Sequence, residues 1–355
     1  MRVSLDDAGV RARLDPDGSY ERIHNLPEQC LEAWAQVRDF ALPAGYAGVD
    51  KLVVTGMGGS AIAADCLQAL VYPESRIPIS VVRGYRLPAW VDSKTLVVGC
   101  SHSGHTEETL SAFGQAVAGG AKTLAITTGG EMASIASAKG IPLLQYSYPN
   151  VPRDAFGHGF LRLIAVARAL GMLAVDDARI AAAVGEMRAQ REALAADVLE
   201  TDNAAKQAAR RLDGFLPLVI GAELMAPVAR RWRGQIDENA DVLALWDELP
   251  EADHNLVVGL RHPGALKSVR AVFLDHESTQ PRARLRYDLT SELFESSGIA
   301  CDRFLFAQPD RLAAQLCAVH HGDFVSYYLA MLTGTRPAEI DNINWLKDRL
   351  ARQQS

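Results

Sequence analysis

The run Lys51-Leu-Val-Val-Thr55 passes directly into Gly56-Met-Gly-Gly-Ser60, and from Ala61 to Leu70 the pattern turns helical. A β-branched strand, a glycine turn and a helix in immediate succession commit a chain to crossover connections and a parallel sheet, whose faces the helices must cover. Further apolar runs follow at Ile77–Val82, Thr95–Cys100, Thr123–Thr127 and Pro142–Tyr146, with the clearest intervening helical pattern at Glu107–Val117. The stretch from Phe156 to about Arg211 is rich in Ala and Leu and reads as two or three helices. The same order then restarts, with a strand at Phe215–Ile220, Gly221 and a helix at Glu223–Gln235. Val242–Trp246, Val269–Asp275 and Cys301–Phe306 read as strands, Ala313–Leu332 as a long helix, and Asn344–Arg352 as a short terminal one. The restart is a weak two-fold repeat of one unit. The expected fold is α/β, two doubly wound lobes with parallel sheets flanked by helices, and 355 residues suit about two domains. Ahead of them lies a helical arm, in which Pro27-Glu28-Gln29 opens a helix with Cys30, Leu31, Trp34 and Val37 on one stripe.

Charge narrows the partners. Lys and Arg number 36 against 43 Asp and Glu, a formal net charge of −7. This argues against a general nucleic-acid binder, whose affinity rests on neutralising phosphates. A small anion would need a local pocket. The five cysteines (Cys30, Cys66, Cys100, Cys301, Cys317) form no CxxC pair and are odd in number, which points to buried thiols in a reducing compartment. The most apolar stretch, near Leu216–Ala229, is interrupted by Glu223 and falls short of a membrane span, and Met1 to Leu14 has no apolar signal core. The expected location is the cytoplasm, with no membrane partner.

Four segments carry chemistry. Gly58, Gly59 and Ser60 sit between a strand and a helix, where the backbone can approach a ligand and a helix N-terminus offers N–H groups to an anion. Gly56-x-Gly58-x-x-Ala61 also matches a loose dinucleotide fingerprint, but Arg76 and Arg83 stand where an acid is wanted. A tight turn without ligand is the other reading. Ser101-His-Ser-Gly-His-Thr106 follows the next strand. Its three hydroxyls, Ser101, Ser103 and Thr106, can cradle an oxyanion, or Ser103 and Thr106 can simply cap the following helix. His102 and His105 have a spacing a metal could use, yet no carboxylate or Cys partner stands out, so no metal is expected. Arg153, just after Pro152, can face a cleft and stabilise an enolate or phosphate, or pair with Asp154 at the surface. Glu238 and His254 lie in Gln235-Ile-Asp-Glu-Asn-Ala240 and Pro250-Glu-Ala-Asp-His-Asn255 and are candidates for acid–base work, although each taken alone reads more simply as a surface Glu and a core His.

In order and spacing these segments, with Pro27-Glu28-Gln29, Asp323-Phe-Val-Ser-Tyr-Tyr-Leu329 and Trp345-Leu-Lys347, resemble the bifunctional phosphoglucose/phosphomannose isomerase family, built from two sugar isomerase (SIS) domains, across essentially the whole chain. The resemblance implies an arm over residues 1–45, SIS domains over 46–155 and 213–335, a helical linker over 156–212 and a tail over 336–355. It implies a phosphorylated hexose as substrate, interconverted between glucose or mannose 6-phosphate and fructose 6-phosphate in carbohydrate metabolism, with no redox cofactor. By the same resemblance Ser60, Ser101, Ser103 and Thr106 hold the phosphate. Arg153 stabilises a cis-enediolate, Glu238 is the base, and His254 and Lys347 open the ring. His254 comes from the neighbouring subunit, so a homodimer is implied. Two departures stand out: the family's common Ser-Tyr-Ser-Gly-Asn-Thr loop here carries His102 and His105, and Pro337-Ala-Glu-Ile340 lacks the Thr often found there. A sugar-phosphate sensor without turnover is an alternative, but such modules usually accompany a basic DNA-binding segment that is missing here. An NADP-dependent dehydrogenase rests only on the glycines and arginines.

Overall fold

A computed structural model of the chain describes residues 3–353. The arm supplies α1 (Ala8–Leu14), α2 (Ser19–His24) and α3 (Leu26–Val37). Then come β1 (Lys51–Thr55), α4 (Gly58–Val71), β2 (Ile79–Val82), β3 (Thr95–Ser101), α5 (Glu107–Ala118), β4 (Lys122–Thr127), α6 (Gly130–Lys139) and β5 (Leu143–Gln145). Three helices follow, α7 (Phe156–Ala169), α8 (Asp177–Leu194) and α9 (Ala204–Leu212). The second lobe comprises β6 (Leu216–Ala222), α10 (Ala226–Ala240), β7 (Leu245–Leu249), α11 (Pro263–Leu266), β8 (Val269–His276), α12 (Pro281–Ser296), β9 (Ala300–Phe306) and α13 (Arg311–Thr333), and α14 (Asp341–Ala351) ends the chain.

Among the described residues every strand pairing is parallel, in a five-stranded sheet of order β2-β1-β3-β4-β5 and a four-stranded sheet of order β7-β6-β8-β9. The second order repeats the first without its last strand, which is the repeat expected from the sequence. In each sheet the chain reverses direction of growth beside its first strand, and the crevice at the carboxyl ends there is where open α/β sheets take ligands. In the first lobe that crevice lies between the ends of β1 and β3, the two strands that lead into the Gly56 and Ser101 loops.

The central strands β1 and β3 are almost wholly buried, as helices on both faces require. One continuous apolar core joins the lobes. It includes Leu67 of α4, Phe160 of α7, Trp232 of α10 and Phe324 of α13, all fully buried. One expectation shifts. The strand expected at Val242–Trp246 lies instead at Leu245–Leu249, because Asp241 closes α10 in a left-handed conformation (φ 51°) and the apolar residues after it belong to the connection.

Candidate active site

Glycines set the geometry of the first crevice. A Cβ on Gly56 would stand 2.9 Å from the Cys100 carbonyl oxygen, so only glycine lets the β1 loop lie against β3. A Cβ on Gly59 would come within 3.2 Å of the Pro152 carbonyl oxygen. The start of α4 therefore abuts both the Ser101 loop and the turn that carries Arg153.

In the Ser101 loop, the Ser101 hydroxyl is 2.9 Å from that of Thr106 and accepts from the Gly104 N–H at 3.1 Å. Thr106 precedes α5 but makes no capping bond, so its hydroxyl is turned to Ser101 and not to the helix. The Ser103 hydroxyl accepts from the His105 N–H at 3.2 Å and sits exposed at the tip. Ser60 lies half-buried in the first turn of α4. The two histidines separate. His105 is exposed, whereas His102 is half-buried, with Nδ1 3.1 Å from the Tyr146 hydroxyl and Nε2 3.1 Å from the Asn150 carbonyl oxygen. Burial lowers its proton affinity, in keeping with a neutral ring that donates at Nε2 and accepts at Nδ1. Among the described residues no cluster of three or more His, Cys, Asp or Glu could hold a metal.

Arg153 is 4% exposed and does not pair with Asp154. Its Nε donates to Asn239 Oδ1 at 2.7 Å, Nη1 to Glu238 Oε2 at 3.3 Å, and Nη2 to the Pro337 carbonyl oxygen. Asp154 is taken instead by Arg22 of α2 at 2.6 Å. Gln29 of α3 grips the same turn from both sides, donating to the Asp154 carbonyl and accepting from the Gly157 N–H, each at 2.8 Å.

Glu238 lies in the last turn of α10, distant from Arg153 in sequence and in contact with it in space. Burial raises its carboxyl above the ordinary value, against the opposing pull of Arg153 and Arg231. A buried network stands behind the pair. Arg231 donates from Nη2 to both carboxylate oxygens of Asp323 (3.0 and 2.9 Å) and to the Arg153 carbonyl oxygen at 3.2 Å. Gln235 donates to Asp323 at 2.8 Å, and Asn239 donates to the Ser326 hydroxyl at 2.9 Å.

Arg153 and Glu238 face a cavity of about 270 Å³ that Gly58, Gly59, Arg83 and Arg230 also line. Asp65 of α4 holds Arg83, and it holds Arg230 at 3.5 Å. Within the one chain the cavity thus offers a carboxylate of raised proton affinity against a buried cation, the pair required for proton abstraction beside a carbonyl. Neither His254 nor Lys347 lines it. His254 ends a short 3-10 turn, Glu251–His254, after β7, and Lys347 is exposed on α14. The start of α14 borders an adjoining recess that Glu238 shares with Asp237, Glu339 and Asp341.

Reading the sequence alone leaves Arg231, Asn239, Asp323 and Ser326 without roles, although three of them stand inside the motifs it singles out. The available signal is polarity out of place, since Asp323 and Ser326 interrupt an otherwise apolar stretch of a helix buried along nearly its full length.

Residues 201–350 match the family model of the bacterial phospho-glucose isomerase C-terminal SIS domain. Two doubly wound parallel sheets about one helical core, with that match, define an enzyme of the two-domain sugar-phosphate isomerase class. The chain is 35% identical to the bifunctional phosphoglucose/phosphomannose isomerase of Caldicellulosiruptor bescii, over 94% of this chain and 98% of that one. It is 32% identical to the protein so named from Aquifex aeolicus, over 85% and 90% of the two chains. The chain belongs to the bifunctional phosphoglucose/phosphomannose isomerase family. Solved structures share the fold at lower identity. A glucose-6-phosphate isomerase-like protein from Thermus thermophilus superposes with a TM-score of 0.63 at 19% identity, covering 98% of this chain and 99% of that one. Tagatose-6-phosphate ketose/aldose isomerase from Escherichia coli gives 0.69 at 15% identity over 90% and 94%. Among the described residues no helix is long and apolar enough to cross a membrane.

Proposed function

We propose that the enzyme interconverts fructose 6-phosphate with both glucose 6-phosphate and mannose 6-phosphate through a cis-enediolate, in the cytoplasm. The observation that carries this reading is the Arg153–Glu238 contact on the cavity between the start of α4 and α10. The substrate phosphate is bound by Ser60, Ser101, Ser103 and Thr106, with Gly58 and Gly59 allowing the α4 N-terminus to approach it. His254 and Lys347 open the sugar ring. Glu238 then takes the proton from C2 and returns it to C1, while Arg153 stabilises the charge that develops on the two oxygens. Once C2 is planar its configuration is lost, so the glucose and mannose forms share one intermediate. C1 and C2 exchange oxidation levels within one molecule, and no redox cofactor is called for.

His254 lies outside the cavity of its own chain, and this supports a site completed by the His254 of a second copy in a homodimer. The test is a coupled assay on fructose 6-phosphate, run separately for each aldose. Formation of both aldoses is expected, and formation of neither removes the reading.

A further inference from the structure

The loop that follows β3 is fastened on two sides through His102. Its carbonyl oxygen accepts from the Thr128 N–H at 3.1 Å and from the Thr128 hydroxyl at 2.6 Å, just beyond the end of β4. Its side chain reaches the other way, into the segment 146–150 that leads to Arg153. There Nε2 lies 3.1 Å from the Asn150 carbonyl oxygen and Nδ1 3.1 Å from the Tyr146 hydroxyl. A carbonyl oxygen only accepts, so in the neutral ring that burial favours Nε2 carries the proton and Nδ1 accepts from Tyr146. One ring with two nitrogens thus ties the Ser101 loop to two points of the segment.

Neither anchor is free to drift. The Tyr146 ring is stacked on that of His158 of α7, with centres 5.0 Å apart and planes at 19°, and the Arg162 guanidinium of the same helix lies 4.7 Å from its centre. Arg162 is fully buried, and it donates to the carbonyl oxygens of His158 at 3.1 Å and Gln145 at 3.2 Å. Asn150 precedes Arg153 by only Val151 and Pro152, and the proline ring fixes one of the backbone angles between them, so little slack remains. On the far side of Arg153, Gln29 and Arg22 hold Asp154. His102 itself does not line the cavity of Arg153 and Glu238.

We propose, on the reading given above that the Ser101 loop holds the phosphate and Arg153 the enediolate, that His102 is a positioning residue which sets the separation of these two elements. A sugar phosphate is anchored at one end and reacts at the other, so it spans that separation. A misplacement of about 1 Å between an anchored substrate and the groups that act on it costs on the order of 10²-fold in rate. Inorganic phosphate meets the loop alone and is indifferent to where Arg153 stands. A residue that merely supported its own loop would behave otherwise, since its loss would weaken inorganic phosphate and sugar phosphate alike.

Steady-state kinetics on fructose 6-phosphate, with inorganic phosphate as competitive inhibitor, separate the two cases. His102→Asn keeps an amide oxygen where Nδ1 stands but falls short of Asn150. It is expected to lower kcat by about 10–10²-fold while the inhibition constant of phosphate stays within about twofold of the wild type. His102→Gln places an amide N–H near the position of Nε2, and is expected to return kcat to within about threefold of the wild type. His102→Ala, which drops both bonds, carries the same expectation as His102→Asn and replaces it if circular dichroism shows that variant unfolded. Wild-type kcat in His102→Asn overturns the proposal and leaves the reading of the site standing. So does a phosphate inhibition constant that rises in step with the loss of kcat, and so does a His102→Gln no faster than His102→Asn. If Ser101→Ala with Ser103→Ala leaves that constant unchanged, the loop does not hold phosphate, and the reading and the proposal fall together.

Discussion

Glu238 meets two opposed demands, since the burial that raises its proton affinity also makes its ionised form costly to hold. In the proposed role of base it must be ionised, so activity is expected to be lost as pH falls through a value above the ordinary 4.5 of a glutamate. The acidic limb of the kcat/KM profile is expected to lie there. For stability the sign is reversed. A carboxyl whose folded value is raised contributes stability that is full below its unfolded value and lost as pH rises through the folded one. Glu238→Gln is therefore expected to lower kcat by at least about 10²-fold while leaving Tm at pH 7 equal or higher. Near-wild-type turnover in this variant would exclude Glu238 as the base. If the Ser101 loop holds the phosphate as proposed, Ser101→Ala with Ser103→Ala is expected mainly to raise KM, each lost bond to a charged group being worth about 1.5–3 kcal/mol. An unchanged KM would mean that these hydroxyls serve only the loop.

Helices α10 and α13 do more than support the site, because the buried Arg231–Asp323 pair between them also holds the Arg153 backbone. Removing one partner of such a pair leaves a buried charge alone, at a cost of about 3–5 kcal/mol. Asp323→Ala is expected to lower the urea midpoint accordingly, with kcat falling too as Arg153 loses its support. A variant as stable as the wild type would show that the pair contributes nothing net. The elements differ in how plainly the sequence announces them. Strands β1, β3 and β6 stand out because burial on both faces demands unbroken apolar runs, and α4 because glycines mark its start. Helix α12 does not stand out, because Leu285, Leu289 and Leu293 outside and Tyr287, Thr290 and Phe294 inside blur the helical period. Strand β7 reads three residues early in the sequence because it lies at a sheet edge and carries Asp247 and Glu248, while its apolar neighbours Val242 and Ala244 lie before it. At the site, hydroxyl and glycine loops are legible as local patterns. The contact of Arg153 with Glu238 is not, since it spans 85 positions. Nor is the engagement of Asp154 by Arg22, which depends on where α2 of the arm comes to rest.

At the scale of the whole molecule, mixing chains distinguishes a shared site from a private one. Two inactive parents are needed, Glu238→Gln and His254→Ala. If sites are shared across a two-fold axis, the heterodimer holds one intact site and recovers activity. Confirmed heterodimer formation with no recovery would place both residues on the same subunit. The continuous core bears on how such a site can work at all. Its members run from the arm through both lobes to Met331, and α13 is buried along most of its length. Helix α4 packs on α10 and α13, so parting the lobes would open that contact and break the buried bond from the Gln315 amide to the Cys66 carbonyl oxygen at 3.1 Å. No hinge plane is left open. The enzyme therefore behaves as a preformed mould and not as a jaw. Sugar must enter by the cleft as it stands, and an evolving lineage could retune what it accepts at the loop tips, not by changing how far the molecule closes.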